Sequence, residues 1–133
     1  ANVGFKAWSA DLHEKITGRP NELIYGNFEN AFKSGMQLAA NMVYIPGFVD
    51  LDELEGCVKF ISSLDREIPF HIDGYIPIPG QPHRRPSDEE MLAAEALVKS
   101  YLPNCRYSHL TSEEALDLSA RDDRFRVKRI AGV

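Results

Sequence analysis

The sequence predicts an α/β domain with a mainly parallel sheet and helices laid along its outer face. Three observations point there. Short segments of two-residue apolar period alternate with segments of helical period along all 133 residues. Helix-opening patterns recur at fixed places, Asp50 with Glu53 and Ser87 with Glu90. The helical segments are also long enough to return the chain to the start of a neighbouring parallel strand.

The first strand is expected at "NVGFKAW" (2–8), followed by one or two helical turns at "DLHEKITG" (11–18) that stop at Gly18. A longer helix follows, with Asn21 as N-cap, an apolar stripe of Ile24, Phe28 and Phe32, and Gly35 just past its end. "MQLAANMVYI" (36–45) reads as the second strand, closed by Pro46-Gly47. Asp50 and Glu53 then open a helix striped by Leu51, Leu54, Val58 and Ile61. "IPFHIDGYIPI" (68–78) is the third strand. The proline-rich loop 79–87 holds most of the candidate flexibility and is too short for a domain linker. Ser87 and Glu90 start a helix carrying Met91, Ala94, Leu97, Val98 and Tyr101. A short strand at "CRYSHL" (105–110), a short helix at "TSEEALDLSA" and a last strand near 125–130 complete the expectation. The chain is long enough for one compact domain and too short for two ordinary ones.

Charge narrows the function classes. The net charge of −5 argues against a broad nucleic-acid face or an anionic-membrane face, so neither partner is expected. The tail from Arg121 onward is +3, which leaves −8 for the rest; a cationic edge strand that resists aggregation explains it as well as a ligand site would. Cys57 and Cys105 are far apart and in no metal-like spacing, so no metal site is expected, and free thiols point to a reducing, cytoplasmic setting. No apolar run approaches the roughly 18 residues of a membrane span, and no signal peptide is visible.

Strand alternation gathers polar residues. On the first strand Gly4, Lys6 and Trp8 share a face, on the second Asn41 and Val43, on the third His71, Asp73 and Tyr75. Ligands in such folds sit at the carboxyl ends of the strands. Polar groups converging there from three neighbours make a pocket hypothesis, with Trp8, His71 and Asp73 as candidate substrate contacts. Each residue also has a plain structural reading. Lys6 could pair with Asp73; His71 and His109 could be hydrogen-bonded strand residues; Asn41 could satisfy backbone; Arg84-Arg85 could be solvated. His13 and His83 lie in no ligand spacing, and no phosphate-binding, dinucleotide or nucleophile-elbow motif occurs.

One set of motifs goes further. "FKAWSADLHEKITGRPNELIYGNFENAFKSG" with "NMVYIPGFVDLDELEGCVKFISSL" resembles the second half of a radical S-adenosylmethionine domain. It is most similar to the branch of the activating enzymes of glycyl-radical enzymes, such as pyruvate formate-lyase activating enzyme. The features that carry the likeness are Lys6, His13, Thr17-Gly18 and Ile45-Pro46-Gly47 with Asp50, over roughly residues 3–80. The resemblance implies a partial (βα) barrel and an intact protein that cleaves S-adenosylmethionine reductively at a 4Fe–4S cluster, yielding a 5′-deoxyadenosyl radical. It puts Lys6 beside the carboxylate of the cofactor. Asn41 stands where activating enzymes often carry a cofactor-contacting arginine, Val43 near the adenine, and Tyr75 where other members present a ring or histidine. Gly4 replaces an acidic residue, which argues for a sister group that includes the radical methyltransferases.

The family's C-x-x-x-C-x-x-C cluster motif does not occur in this sequence. Residues 1–133 are therefore expected to form the C-terminal part of the barrel, without the cluster-binding half and inactive alone. Two other readings stay open: an ordinary (βα)-barrel lyase or hydrolase using His71 and Asp73 as acid and base, and a non-catalytic binding domain. A half-barrel leaves its first strand's edge open to a second copy of the chain. Light scattering is then expected to give twice the 15.0 kDa mass of one chain, and a strict monomer at high concentration would count against that dimer.

Overall fold

The computed structural model describes residues 1–121. Among them, four strands alternate with five helices: β1 (Asn2–Phe5), α1 (Ala10–Thr17), α2 (Glu22–Lys33), β2 (Ala39–Tyr44), α3 (Leu51–Leu64), β3 (Phe70–Gly74), α4 (Asp88–Lys99), β4 (Cys105–Ser108) and α5 (Ser112–Arg121). The strands lie in the order β1-β2-β3-β4, and every pairing is parallel. The α/β architecture is the one the sequence predicts, a succession of β-α-β crossovers. The last strand expected near 125–130, and the basic tail beyond Arg121, lie outside the described residues.

The two-residue period divides the sheet. Phe5, Ala40, Met42, Tyr44, Phe70 and Ile72 are buried under the helices, against Phe28, Leu54, Val58, Ile61, Met91 and Val98. Each large side chain buried there contributes about 1.5–3 kcal/mol. The opposite face carries a row of Gly4, Asn41, His71 and Arg106, and beside it Val43, Asp73 and Ser108. These residues are half-buried or exposed. That open face is the wall a closed barrel would turn inward.

Helix ends follow the sequence signals with two exceptions, Asn21 and Glu53; Asn21 precedes α2, but its side chain makes no cap bond. Gly18 and Gly35, at φ +73° and +89°, end α1 and α2 in the left-handed conformation that favours glycine. At α4 the Ser87 hydroxyl accepts from Glu90 N and the Glu90 carboxylate accepts from Ser87 N, a complete capping box. At α3 Asp50 caps through Leu51 N, but Glu53 does not close the box. Its carboxylate leaves the helix end altogether and accepts from Trp8 N and Ser9 N.

That diversion explains the main correction to the strand reading. β1 ends at Phe5, so the alternation that placed Trp8 beside Gly4 and Lys6 does not reach it. The Trp8 ring packs instead on the helix side, 4.9 Å edge-on to Tyr25 and 5.9 Å from Phe60. Trp8 is therefore a packing residue and does not line the open face. Gly56 makes the room: a β-carbon there would stand 2.1 Å from the indole Cδ1. Gly56→Ala would gain about 1 kcal/mol in helix propensity. Overpacking would cost about 2–3 kcal/mol, so urea denaturation is expected to show a net loss of about 1–2 kcal/mol. A stabilised variant would show that the indole is free to move.

Candidate functional site

The open face carries a connected polar cluster. Asn41 Nδ2 donates to Asp73 Oδ2 at 2.9 Å. His71 Nε2 lies 3.4 Å from Asp73 Oδ1 and 3.2 Å from Ser108 Oγ, and that hydroxyl reaches Asp73 Oδ1 at 3.5 Å. Asp73 is thus shared by β2, β3 and β4. Beside it Gly4 faces Asn41: a β-carbon at Gly4 would stand 3.4 Å from Asn41 Oδ1, so the amide oxygen borders open space.

Lys6 lies one residue past the end of β1 and is exposed. Phe5 and Ala7 on either side of it are buried, so it keeps the parity of Gly4. The structural ion pair with Asp73 is not formed, because Asn41, Ser108 and His71 hold that carboxylate. Among the described residues no carboxylate makes an ion pair with Lys6. Val43 sits half-buried in register with Asp73. Tyr75 lies one residue past β3 and is only 8% exposed. Its ring meets His83 edge-on at 6.0 Å, and His83 stacks on Phe48 at 4.5 Å. The structure therefore joins Asn41, His71 and Asp73, sets Lys6 and Val43 on the neighbouring positions, and ties Tyr75 to the loop after β3.

The motif residues of α1 have a local task. His13 is buried, and its Nδ1–H donates to Arg19 O at 2.8 Å, a bond that requires the proton on that nitrogen because a carbonyl only accepts. Thr17 Oγ1 donates to His13 O and accepts from Arg19 N. With Gly18 turning left-handed, these groups lock the end of α1.

Two side chains went unread in the sequence. Ser108 gave no signal beyond its place in a strand. Glu53 is 6% exposed and accepts three hydrogen bonds on Oε1, from Trp8 N, Ser9 N and Ser9 Oγ. Its spacing from Asp50 is that of a capping box, which hid its longer reach.

The arginine pair is not merely solvated, and it corrects the expectation of a loose loop. Arg84 makes a two-pronged contact with Glu90, 2.7 Å to each oxygen. Arg85 donates to the carbonyls of His109 and Leu110. His109 Nε2 in turn lies 2.6 Å from Pro86 O. The loop 79–87 is tied at its end to α4 and to the residues after β4.

Neither cysteine faces the polar cluster. Burial pushes the Cys57 thiol up to about 12 and the Cys105 thiol up to about 11. Among the described residues no group of three or more His, Cys, Asp or Glu is placed to hold a metal ion, and no helix is long and apolar enough to cross a membrane.

Comparison with known proteins agrees with this geometry. No family model matches the chain. A Methanocaldococcus jannaschii protein, named as a candidate glycyl-radical enzyme activating enzyme, is 27% identical over 110 residues, which cover 77% of this chain and 42% of that protein. The likeness to the activating enzymes is borne out. The chain spans less than half the length of that relative. The fold is shared with a domain of pyruvate-formate lyase-activating enzyme from Bacteroides vulgatus, at TM-score 0.67 and 19% identity over 80% of this chain and 65% of that one. A radical SAM methyltransferase from Sphaerobacter thermophilus matches at TM-score 0.58 and 22% identity, over 82% of this chain and 34% of its own. The (βα) half-barrel resembling these activating enzymes is thus seen in both sequence and fold.

The Arg84 contact holds the Glu90 carboxyl down at about 2, well below the usual carboxylate range. A carboxyl with a lowered native value stabilises the fold above its ordinary value of about 4.5, and that contribution fades as pH falls from there through about 2. Arg84→Ala is expected to raise Glu90 from about 2 in a carboxyl-carbon NMR titration, with the Ser87 N–H bond still holding it below its ordinary value. A titration unmoved by the substitution would show that the guanidinium is not the cause.

Proposed function

We propose that this chain is the cofactor-facing C-terminal part of a radical S-adenosylmethionine enzyme resembling the glycyl-radical-enzyme activating enzymes. The observation that carries the reading is a lysine with no ion-pair partner among the described residues, set at the carboxyl edge of an open polar wall, in a chain that aligns with a named candidate activating enzyme.

The residues present suit S-adenosylmethionine. Lys6 would hold the methionyl carboxylate as a charge-assisted hydrogen bond. Asn41 commits its N–H to Asp73, so its Oδ1 remains to accept from the cofactor's ammonium group. Val43 offers an aliphatic surface for the adenine, while Tyr75, 8% exposed against His83, would reach it only at its uncovered edge. When bound, the cofactor supplies a sulfonium whose adenosyl carbon is the source of the radical. The residues do not suit the 4Fe–4S cluster. Two buried thiols on the helix side of the sheet are neither numerous enough nor placed to be its ligands. No cluster step is assigned to this chain, which alone is expected to be inactive.

The reading of His71 and Asp73 as acid and base in another barrel enzyme finds less support. Ser108 and Asp73 meet the same ring nitrogen of His71. Those contacts exclude a serine relay but not an acid and a base, and it is the relative named as a candidate activating enzyme that favours the first reading.

S-adenosylmethionine titrated into the chain should bind weakly, with shifts centred on the open face in amide NMR spectra. Lys6→Met is expected to weaken that binding about tenfold, the worth of one charge-assisted hydrogen bond. Unchanged affinity would remove Lys6 from the site. A three-cysteine cluster motif in the native gene ahead of Ala1 would support the family reading, and its absence would favour an ordinary barrel enzyme.

A further inference from the structure

From the residues that hold the turn after β1, we infer that Glu53 is a positioning residue for Lys6, acting from α3 through the backbone. The inference rests on the cofactor role proposed for Lys6.

Between Lys6 and α1 the chain must leave the sheet within three residues, Ala7 to Ser9. Every step of that departure is held by a side chain from a neighbouring helix. The Tyr25 hydroxyl donates to Ala7 O at 2.9 Å, and Asn21 Nδ2 donates to Trp8 O. Glu53 Oε1 accepts from Trp8 N at 3.0 Å and from Ser9 N at 2.9 Å. The Trp8 ring fills the space left by Gly56 on the same helix. Glu53 is the one carboxylate in this set of contacts with the turn, and a buried carboxylate needs partners of this kind. It finds them in the two amides that follow Lys6 most closely after Ala7.

Ser9 sharpens the point. It stands at the N-cap of α1, yet its side chain makes no cap bond. Its hydroxyl goes to Glu53 instead, at 3.2 Å. The turn thus gives up a local cap, ordinarily a stabilising contact, to bind α3. Among the described residues Lys6 makes no side-chain ion pair, so there its backbone fixes where its ammonium group begins its reach. Small displacements of a binding group cost affinity steeply.

Three measurements on the 133-residue chain test this. First, Glu53→Ala should speed hydrogen exchange at the Trp8 and Ser9 amides while the β2 and β3 amides stay protected. Second, it should weaken S-adenosylmethionine, read by amide shift titration, about tenfold. Third, Lys6→Met combined with Glu53→Ala should bind no more weakly than Lys6→Met alone, because both act through one contact. If alanine unfolds the chain, Glu53→Gln keeps an acceptor oxygen and should give an intermediate loss. Wild-type affinity in the Glu53 variants, or losses that add in the double variant, would overturn the inference. If Lys6→Met itself changes nothing, the cofactor role of Lys6 fails and the positioning role falls with it. Fast exchange at Trp8 and Ser9 would then still show that the clamp exists as structure.

Discussion

The two-residue period of four parallel strands is the constraint on which the rest depends. Once Phe5, Met42 and Ile72 are buried under the helices, Gly4, Asn41 and His71 have no choice of side. A slip of one residue would send Asn41 and Asp73 into the core, where an unpaired carboxylate costs several kcal/mol. The apolar face therefore specifies the polar one. It also explains why Asp73 is so fully engaged. Among the described residues no helix is drawn over the open face, and the carboxylate draws its partners from its strand neighbours Asn41 and Ser108.

The same division makes Lys6 informative. In the interior of a strand its ammonium group would need an acid, and the nearest one in register is already occupied. The chain places it past the last paired residue, where water can solvate it at little cost. A lysine kept by a structure for its own stability would be expected to seek Asp73. This one keeps its charge available, while the backbone on its far side is fastened by Tyr25, Asn21 and Glu53.

Much of this was legible in the sequence because it is periodic. The alternation through Ala40, Met42 and Tyr44, and the helical stripe of Leu54, Val58 and Ile61, are local patterns that burial imposes directly. The Ser87–Glu90 cap was legible too, since both partners lie within one helical turn. What escaped depends on contacts distant in sequence. Glu53 has the spacing of a cap but reaches back 44 residues to Ser9. Trp8 was misplaced because alternation says nothing about where a strand stops. Arg84 and Arg85 looked solvated because His109 and Leu110, which Arg85 binds, lie on the far side of α4 in sequence. The likeness to the activating enzymes was legible through short motifs, of which His13 and Thr17-Gly18 prove to hold the end of a helix.

The cysteines are set apart from the open wall by the same division of the sheet. Cluster ligands are thiolates in a spaced set, and the two thiols here are buried, Cys57 on α3 and Cys105 on the helix-covered side of β4. Burial is the largest cause that pushes the Cys57 thiol up, as befits a core residue. The open face can therefore vary at positions such as Gly4 and Asn41 without disturbing the helices, and neither thiol lies on it.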